Sequence, residues 1–245
     1  MKLYYDLHTH SCLSPCADDD MTPPHIVGMG YLNGLGLMAL TDHNSCANCA
    51  PFLAACERYR MAGLPGMELT TAEEIHLLCL FSCLQDALVF DDTLSSHRMQ
   101  LKNKPEIFGK QLICDDDGHI LREEENLLIY ATDLMLEDAL DLVHAHNGIA
   151  YPAHIDREAN GIEAILGTIP PQIPFPAMEL HDGEKEAAYR EKYPHTAALP
   201  YLVCSDAHTL GELREINKHV EIPDDTPYEN VARLFFEKIK KGWIV

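Results

Sequence analysis

Short apolar runs and amphipathic stretches take turns over the first 85 residues of the chain. The runs are short enough for buried strands, and each ends at polar or turn-forming residues. They lie at 3–5, 37–40, 66–70 and 75–81. A helix is predicted to begin after Thr22, with Pro23 at its first position, and to stop at Gly34 or Gly36, and a second covers about 51–62. Strands alternating with helices predict an α/β fold with a mainly parallel sheet.

The middle of the chain breaks this rhythm. Residues 86–130 carry acidic clusters and an Asp-Asp-Asp-Gly turn signal at 115–118, with little apolar periodicity. We interpret this segment as an insertion or small cap within a single domain that spans 1–245. After it, the pattern predicts helices over 134–146 and 228–240 and strands over 149–153, 177–180 and 199–204.

Residues of the metal-binding types cluster at the predicted strand ends. They are His8, His10, His43, Glu68, His154, Asp206 and His208. The carboxyl ends of parallel strands face one common mouth, so these side chains are expected to converge there. His8 and His10, two apart, point to the same face. Imidazole with carboxylate suits Zn²⁺, Mn²⁺ or Fe²⁺ better than Ca²⁺, and more than six ligands predict more than one ion.

The net charge and the length of the apolar runs limit the classes of partner that the chain is expected to bind. The chain has 18 Lys and Arg against 39 Asp and Glu, a net charge of −21. That excess predicts no binding of long duplex nucleic acid, and no apolar run is long enough to span a membrane. The first residues meet charge too early for a signal peptide, so we expect a cytoplasmic protein with nine reduced cysteines.

Five segments in order resemble the motifs of the PHP (polymerase and histidinol phosphatase) superfamily. They are Asp-Leu-His-Thr-His-Ser at 6–11, Thr-Asp-His-Asn at 41–44, Gly-Met-Glu-Leu-Thr at 66–70, His154, and Cys-Ser-Asp-Ala-His at 204–208. The resemblance runs from residue 3 to about 210. It implies a distorted (β/α)7 barrel with a small insertion, two or three divalent metal ions at its mouth, and phosphoester hydrolysis by a metal-activated hydroxide.

The resemblance also implies a ligand set. One ion would be held by His8, His10, Glu68 and Asp206, a second by Glu68, His154 and His76, and a third by His43, His208 and an acidic residue of the loop after His10. Relatives usually have Ser-Asp-Gly directly after the first motif, whereas this loop is longer. Asp18 is the first choice for the loop ligand and Asp20 the second. His76 opens a strand, so a core role is an alternative for it.

Three further residues have open roles. Asp42 could orient the metal-bound His43 ring. Arg157 could bind a substrate phosphate or be a solvated surface residue. His181 ends a strand and could reach the mouth or be structural.

The expected function is therefore that of a metal-dependent phosphoesterase. The expected substrate is a small phosphorylated compound, such as a nucleotide 3′,5′-bisphosphate or a short oligonucleotide end, rather than a long duplex. Alternatives are a histidinol-phosphatase-like enzyme, a non-catalytic PHP module that binds metal as a structural or regulatory subunit, and a metal-dependent amidohydrolase. The Cys-x-x-Cys pair Cys46 and Cys49 could join Cys12 and Cys16 in a structural zinc site, although small buried thiols are favoured.

Overall fold

The structure, a computed structural model, describes residues 1–213 and 218–242. No helix within these residues is long and apolar enough to cross a membrane. The strands are β1 (Lys2–Asp6), β2 (Leu37–Leu40), β3 (Ala62–Thr70), β4 (His76–Leu80), β5 (Leu112–Cys114), β6 (Ile120–Glu123), β7 (Ile149–Pro152), β8 (Met178–Leu180), β9 (Tyr201–Val203) and β10 (His219–Glu221). The helices are α1 (Pro23–Leu32), α2 (Cys49–Tyr59), α3 (Leu84–Leu94), α4 (Pro105–Phe108), α5 (Leu136–Ala145), α6 (Ile162–Leu166), α7 (Glu186–Lys192) and α8 (Tyr228–Lys240).

Six strands form the main sheet in the order β10-β1-β2-β3-β4-β7. The pairs β1–β2 and β2–β3 are parallel, whereas β10 runs antiparallel to β1. Strand β4 is antiparallel to both β3 and β7, so β7 runs in the same direction as β3. The carboxyl ends of β1, β2, β3 and β7 therefore share one edge.

A two-stranded parallel sheet, β8–β9, lies beside this main sheet. A bridge between Thr9 and Ala207 links it to the end of β1, and the Ile155 N–H donates to the Glu179 carbonyl at 2.9 Å beyond the end of β7. The strands thus curl around a common interior. The α/β class is confirmed; the count of seven β/α units stays a prediction, because the main sheet is mixed and the short sheet is joined to it by isolated bonds.

Alternation along the strands divides the core into layers. Tyr5, Leu78 and Tyr151 pack with Phe235 of α8 in a cluster inside the curl. The neighbouring odd positions of β4, such as Leu77, belong to a second cluster that α3 and α5 cover. A third apolar cluster lies between β2 and helices α1 and α2. Helix α8 has the predicted bounds and closes the inner cluster against β3.

The segment predicted to be an insertion contains more regular structure than its composition suggested. Helix α3 occupies its beginning, with Ala87, Phe90 and Leu94 buried at helical spacing, a periodicity too short to stand out among the acidic residues. The turn signal at 115–118 joins β5 and β6 in a hairpin, as expected. Helices α6 and α7 and strand β10 were also not predicted, because each is shorter than the windows over which periodicity is visible.

The packing of α8 can be tested by truncating Phe235, which is fully buried. We expect Phe235→Ala to lower the free energy of unfolding by about 3–5 kcal/mol, because it removes apolar burial and leaves a cavity. Leu32→Ala is the control, since this side chain is 77% exposed and its loss should change stability by less than about 0.5 kcal/mol. Chemical denaturation measures both; equal effects would contradict the assignment of α8 to the core.

Candidate metal centre

The topology brings the predicted ligands to one edge of the curled sheet. His8 and His10 follow β1, His43 follows β2, His154 follows β7, and Asp206 follows β9. Their burial is nearly complete, at 7% exposure or less. Residues from four separate parts of the chain therefore converge, as their positions at strand ends predicted.

The sequence position of His76, at the start of a strand, is explained by strand direction. Strand β4 runs antiparallel to β3, with His76 opposite Thr70. The beginning of β4 therefore lies at the edge where the parallel strands end. The His76 Nδ1 atom is 2.7 Å from Glu68 Oε1, so its ring faces the site rather than the core.

Three overlapping groups of side chains could each hold a metal ion. In each group the candidate ligand atoms lie within 4.8 Å of one another. The groups are His8, His10, Glu68 and Asp206; His43, Glu68 and His76; and His10, His43 and His208. Glu68, His10 and His43 each belong to two of the three groups, so the groups form one compact centre.

Glu68 lies at the middle of this centre. Its Oε1 atom is 3.0 Å from His154 Nε2, in addition to its contact with His76, and its Oε2 atom is 3.0 Å from His43 Nδ1. The carboxylate is 1% exposed. Imidazoles therefore contact both of its oxygens, the arrangement expected of a carboxylate that bridges two cations.

The donor atoms fit cation binding better than mutual hydrogen bonding. The Nε2 atoms of His8 and His10 face each other at 3.1 Å, and each is 3.1 Å from Asp206 Oδ1. The His43 Nδ1 atom is buried without a hydrogen bond although Glu68 Oε2 is close. Nitrogen and oxygen atoms held this close to one another in a buried site are what ligands of a common ion require.

The electrostatics divide the histidines into two classes. Burial lowers the pKa of His10, but Asp206 and Glu68 outweigh it and raise that pKa to about 9. Burial dominates at His43 and His208, lowering their pKa values to about 3 and about 4. Burial would raise the pKa of Glu68, yet the surrounding histidines hold it well below its ordinary value. Near neutral pH the metal-free centre thus holds an ionised Glu68, a protonated His10 ring, and neutral rings at His43 and His208.

The Ser14 hydroxyl links Asp42 to two of the candidate ligands, His10 and His43. The Ser14 hydroxyl donates to Asp42 Oδ1 at 2.7 Å and accepts from the His43 main-chain N–H at 3.1 Å. It also lies 2.9 Å from His10 Nδ1. Asp42 accepts its hydrogen bonds from Ser11 and Ser14, and through Ser14 it holds the His10 ring. The expected contact between Asp42 and the His43 ring is not among these hydrogen bonds.

The sequence analysis missed Glu179 and Asp6. Glu179 Oε1 lies 2.8 Å from His8 Nδ1. Asp6 is fully buried and accepts hydrogen bonds from the Ser205 N–H and hydroxyl, and burial raises its pKa to about 6. A signal existed for Glu179: it is the only charged residue in its short apolar strand, where alternation turns it inward.

The backbone at the centre is strained. His154 has φ of 26° and Asp206 has φ of 53°, values that non-glycine residues rarely adopt. Such conformations cost on the order of 1–3 kcal/mol each and persist only where the surroundings impose them. The hydrogen bonds that the Ser205 N–H and hydroxyl donate to Asp6 hold the segment that precedes Asp206.

The loop after His10 does not bring its acidic residues into the centre. Asp18 and Asp20 are exposed, and neither belongs to the three groups. The Asp18 N–H donates to the His208 carbonyl at 3.0 Å, so this loop is docked on the ligand segment through its main chain. A ligand role for the Asp18 carboxylate stays a prediction.

Arg157 lies at the mouth of the centre. Its guanidinium donates to Asp206 Oδ2 and to His181 Nδ1, the latter at 3.0 Å, while 37% of its side chain is exposed. The structure thus joins Arg157 and His181 to the edge of the centre. A cation with donors facing solvent beside metal ligands is suited to binding an anion.

The cysteines do not form a structural zinc site among the described residues. Cys12 Sγ is 3.5 Å from Cys114 Sγ, whereas Cys46 and Cys49 both face the Gly66 carbonyl. Cys16 is exposed and belongs to no such group. The favoured interpretation of buried thiols agrees with these contacts.

Comparison with known proteins shows the fold. No protein-family model and no curated protein matches the chain by sequence. Endonuclease Q from Pyrococcus furiosus superposes with a TM-score of 0.65 and 18% identity, over 98% of this chain and 56% of that chain. Endonuclease Q with a 27-mer duplex that has an abasic lesion at the active site gives 0.65 and 17%, over 98% and 57%. A candidate metal-dependent phosphoesterase from Bifidobacterium adolescentis gives 0.63 and 15%, over 97% and 96%.

The chain therefore spans little more than half of the Endonuclease Q chains and nearly all of the phosphoesterase. Because each identity is below 25%, these likenesses show the fold alone. The described residues also contain a His/Glu/Asp cluster that could hold metal ions, as the resemblance to PHP-type proteins predicted.

The exclusion of long duplex nucleic acid in favour of a small substrate was wrong. The same fold occurs in a protein bound to a 27-mer DNA duplex at its active site. The physical error was to read the net charge of −21 as if it acted uniformly. Binding depends on the local potential at the contact surface, which the net charge of a whole chain does not determine.

The raised pKa of His10 gives cation binding a pH dependence. Below about pH 9 the ring holds a proton that a cation must displace, so uptake of Zn²⁺ should release protons and its apparent affinity should rise toward that pH. In the metal-free protein, the stability that protonated His10 contributes is present below its ordinary pKa of 6.5 and is lost as pH rises through about 9.

Calorimetric titration with Zn²⁺ in buffers of different ionisation enthalpy counts the released protons. The double variant His8→Ala, His10→Ala should bind less and release fewer protons. An affinity that is constant between about pH 6 and pH 8 would contradict the prediction.

Proposed function

We propose that this protein is a metal-dependent phosphoric ester hydrolase that holds two or three divalent ions, Zn²⁺, Mn²⁺ or Fe²⁺. The observation that carries the proposal is the set of three overlapping ligand groups around the buried carboxylate of Glu68. Adjacent ion sites that share a carboxylate are suited to clamping one phosphoryl group. Residues 1–245 would act as one domain, with 86–130 as its insertion.

The residues of the chain have distinct tasks in this proposal. His8, His10 and Asp206 would hold one ion and His76 and His154 a second, with Glu68 between them. His43 and His208 would hold a third; Asp18, the predicted loop ligand of that ion, lies outside the three groups in this structure. When bound, the ions would polarise the phosphoryl oxygens and lower the pKa of water at the site.

Arg157 would bind a non-bridging oxygen of the substrate phosphate. Its contacts with Asp206 and His181 fix the guanidinium at the mouth, and its exposed portion leaves donors for an anion. Planar guanidinium donors suit phosphate oxygens, and their charge would offset the charge that grows during in-line attack. Asp42 would act through Ser14 by holding the His10 ring in place.

Phosphodiesters of nucleic acid are the substrate class that we favour. Support comes from the likeness to Endonuclease Q, including the complex with damaged duplex DNA. Because this chain matches only 56% of one Endonuclease Q chain, its lesion recognition is not carried over as such. The likeness over nearly the whole length of the phosphoesterase favours a catalytic unit that is complete within this fold.

The alternatives are less well supported by the centre. A degenerate, non-catalytic module is expected to lack several ligands, whereas eight of the nine predicted ligands converge here. An amidohydrolase of this kind usually has a carboxylated lysine at a strand end that bridges two ions. Within the described residues, the ion pairs of Glu68 and Asp206 involve histidines and Arg157 but no lysine.

Hydrolysis assays test the proposal directly. Protein loaded with Mn²⁺, Zn²⁺ or Fe²⁺ should cleave at least one member of a panel containing a chromogenic phosphodiester, single-stranded DNA, intact duplex DNA and duplex DNA with an abasic site. The variant His8→Ala, His10→Ala should lose about 100-fold or more of the rate, because metal stabilisation of the transition state is worth several kcal/mol. EDTA should abolish activity.

The matched control replaces two histidines outside the centre. His25→Ala, His119→Ala removes exposed rings that contact none of the ligand groups, so its rate should equal that of the wild type. The proposal would be falsified if no metal-loaded sample hydrolysed any member of the panel.

A further inference from the structure

Glu179 is a buried carboxylate behind the ligand groups. It lies in the middle of β8 and is 1% exposed. It belongs to none of the three ligand groups, so the proposed hydrolysis assigns it no task. Burying a charged carboxylate is costly unless specific hydrogen bonds compensate for it.

Two hydrogen bonds of the Glu179 side chain go to residues that the proposed function assigns to ions. Its Oε1 atom lies 2.8 Å from His8 Nδ1 and accepts the main-chain N–H of His154 at 3.1 Å. An ionised carboxylate can only accept, so this contact places the His8 proton on Nδ1. The lone pair of His8 is then on Nε2, the atom that faces Asp206 and His10.

The second bond acts on the strained end of β7. His154 has φ of 26°, and its ring reaches Glu68 Oε1 at 3.0 Å from Nε2. The bond from its N–H to Glu179 ties this backbone to the same oxygen atom that orients His8. The Glu179 Oε1 atom thus connects His8, a proposed ligand of the first ion, to His154, a proposed ligand of the second.

We propose that Glu179 is a positioning residue that fixes the His8 tautomer and the His154 backbone together, and so presets two neighbouring cation sites on either side of Glu68. The inference rests on the proposed function for the identity of the ligands. It concerns cation binding, however, and can fail or hold independently of hydrolysis. Supporting residues of metal-bound histidines typically contribute about 10- to 100-fold to affinity.

Two substitutions separate geometry from charge. Glu179→Ala removes the acceptor for both N–H groups. Glu179→Gln keeps one side-chain oxygen that can accept from both donors but removes the charge. Asp156→Asn is the matched control: the Asp156 side chain is 1% exposed and accepts from the main-chain N–H groups of 181 and 182 and from Lys185, but it contacts no proposed ligand.

Binding of Mn²⁺ alone can be followed from the loss of the free-ion electron paramagnetic resonance signal. We expect Glu179→Ala to bind about 10- to 100-fold more weakly than wild type, and Glu179→Gln to fall between them. Asp156→Asn should bind like wild type, even if its melting temperature falls. In Zn²⁺-loaded protein, ring ¹⁵N shifts should show His8 protonated at Nδ1, and exchange of this Nδ1 proton with water, the His8 signature, should be slow in the wild type and faster in Glu179→Ala, because the hydrogen bond to Glu179 is lost.

Wild-type affinity and stoichiometry in folded Glu179→Ala would overturn the inference. If that variant does not fold, Glu179→Gln decides, and wild-type affinity together with an unchanged His8 signature would overturn it. Equal weakening by Asp156→Asn would also overturn it, because general loss of a buried carboxylate would then explain the effect. Normal Mn²⁺ binding by a wild type that hydrolyses nothing would overturn the proposed function alone.

Discussion

The burial of Glu68 is the constraint on which the rest of the centre depends. An ionised carboxylate that is 1% exposed must be compensated by positive charge or by hydrogen bonds, because its desolvation is otherwise prohibitive. The chain surrounds it with imidazoles, which compensate it either as protonated rings or as co-ligands of a cation. Two of these imidazoles, those of His43 and His154, each have a buried Nδ1 atom without a hydrogen bond. Bound cations would therefore complete the compensation that the protein alone provides only in part.

Strand direction determines how so many ligands reach one carboxylate. Parallel strands deliver His8, His10 and His43 at their carboxyl ends, and the antiparallel β4 delivers His76 at its beginning. The left-handed backbone at His154 and Asp206 shows that regular strand ends alone do not place every side chain. The supporting bonds of Asp6, Glu179 and Ser14 supply the remaining restraint.

Local pattern was sufficient to predict the α/β class, most strands and the converging ligands. A histidine at the end of a short apolar strand is visible in the sequence, and the parallel arrangement of the strands brings such residues to one edge of the sheet. The supporting residues were not predicted, because their roles exist only across long separations: Glu179 meets His8 from 171 positions away. The loop ligand stays a prediction, because an irregular loop has no periodicity that fixes where the Asp18 side chain points. Short elements such as α6 and β10 depend on tertiary packing rather than on their own propensity.

The error about nucleic acid has a general cause. A net charge of −21 sums over a surface whose parts are separated by more than the Debye length of about 8 Å at physiological salt. A phosphate at the mouth would instead meet Arg157 and bound cations, whereas many of the acidic groups lie elsewhere, as Asp115 and Glu125 do on the segment 86–130. Two divalent ions would add four positive charges within a few ångströms of the phosphate. Attraction of a polyanion therefore depends on occupancy of the centre, so metal loading would control substrate binding as well as the chemical step.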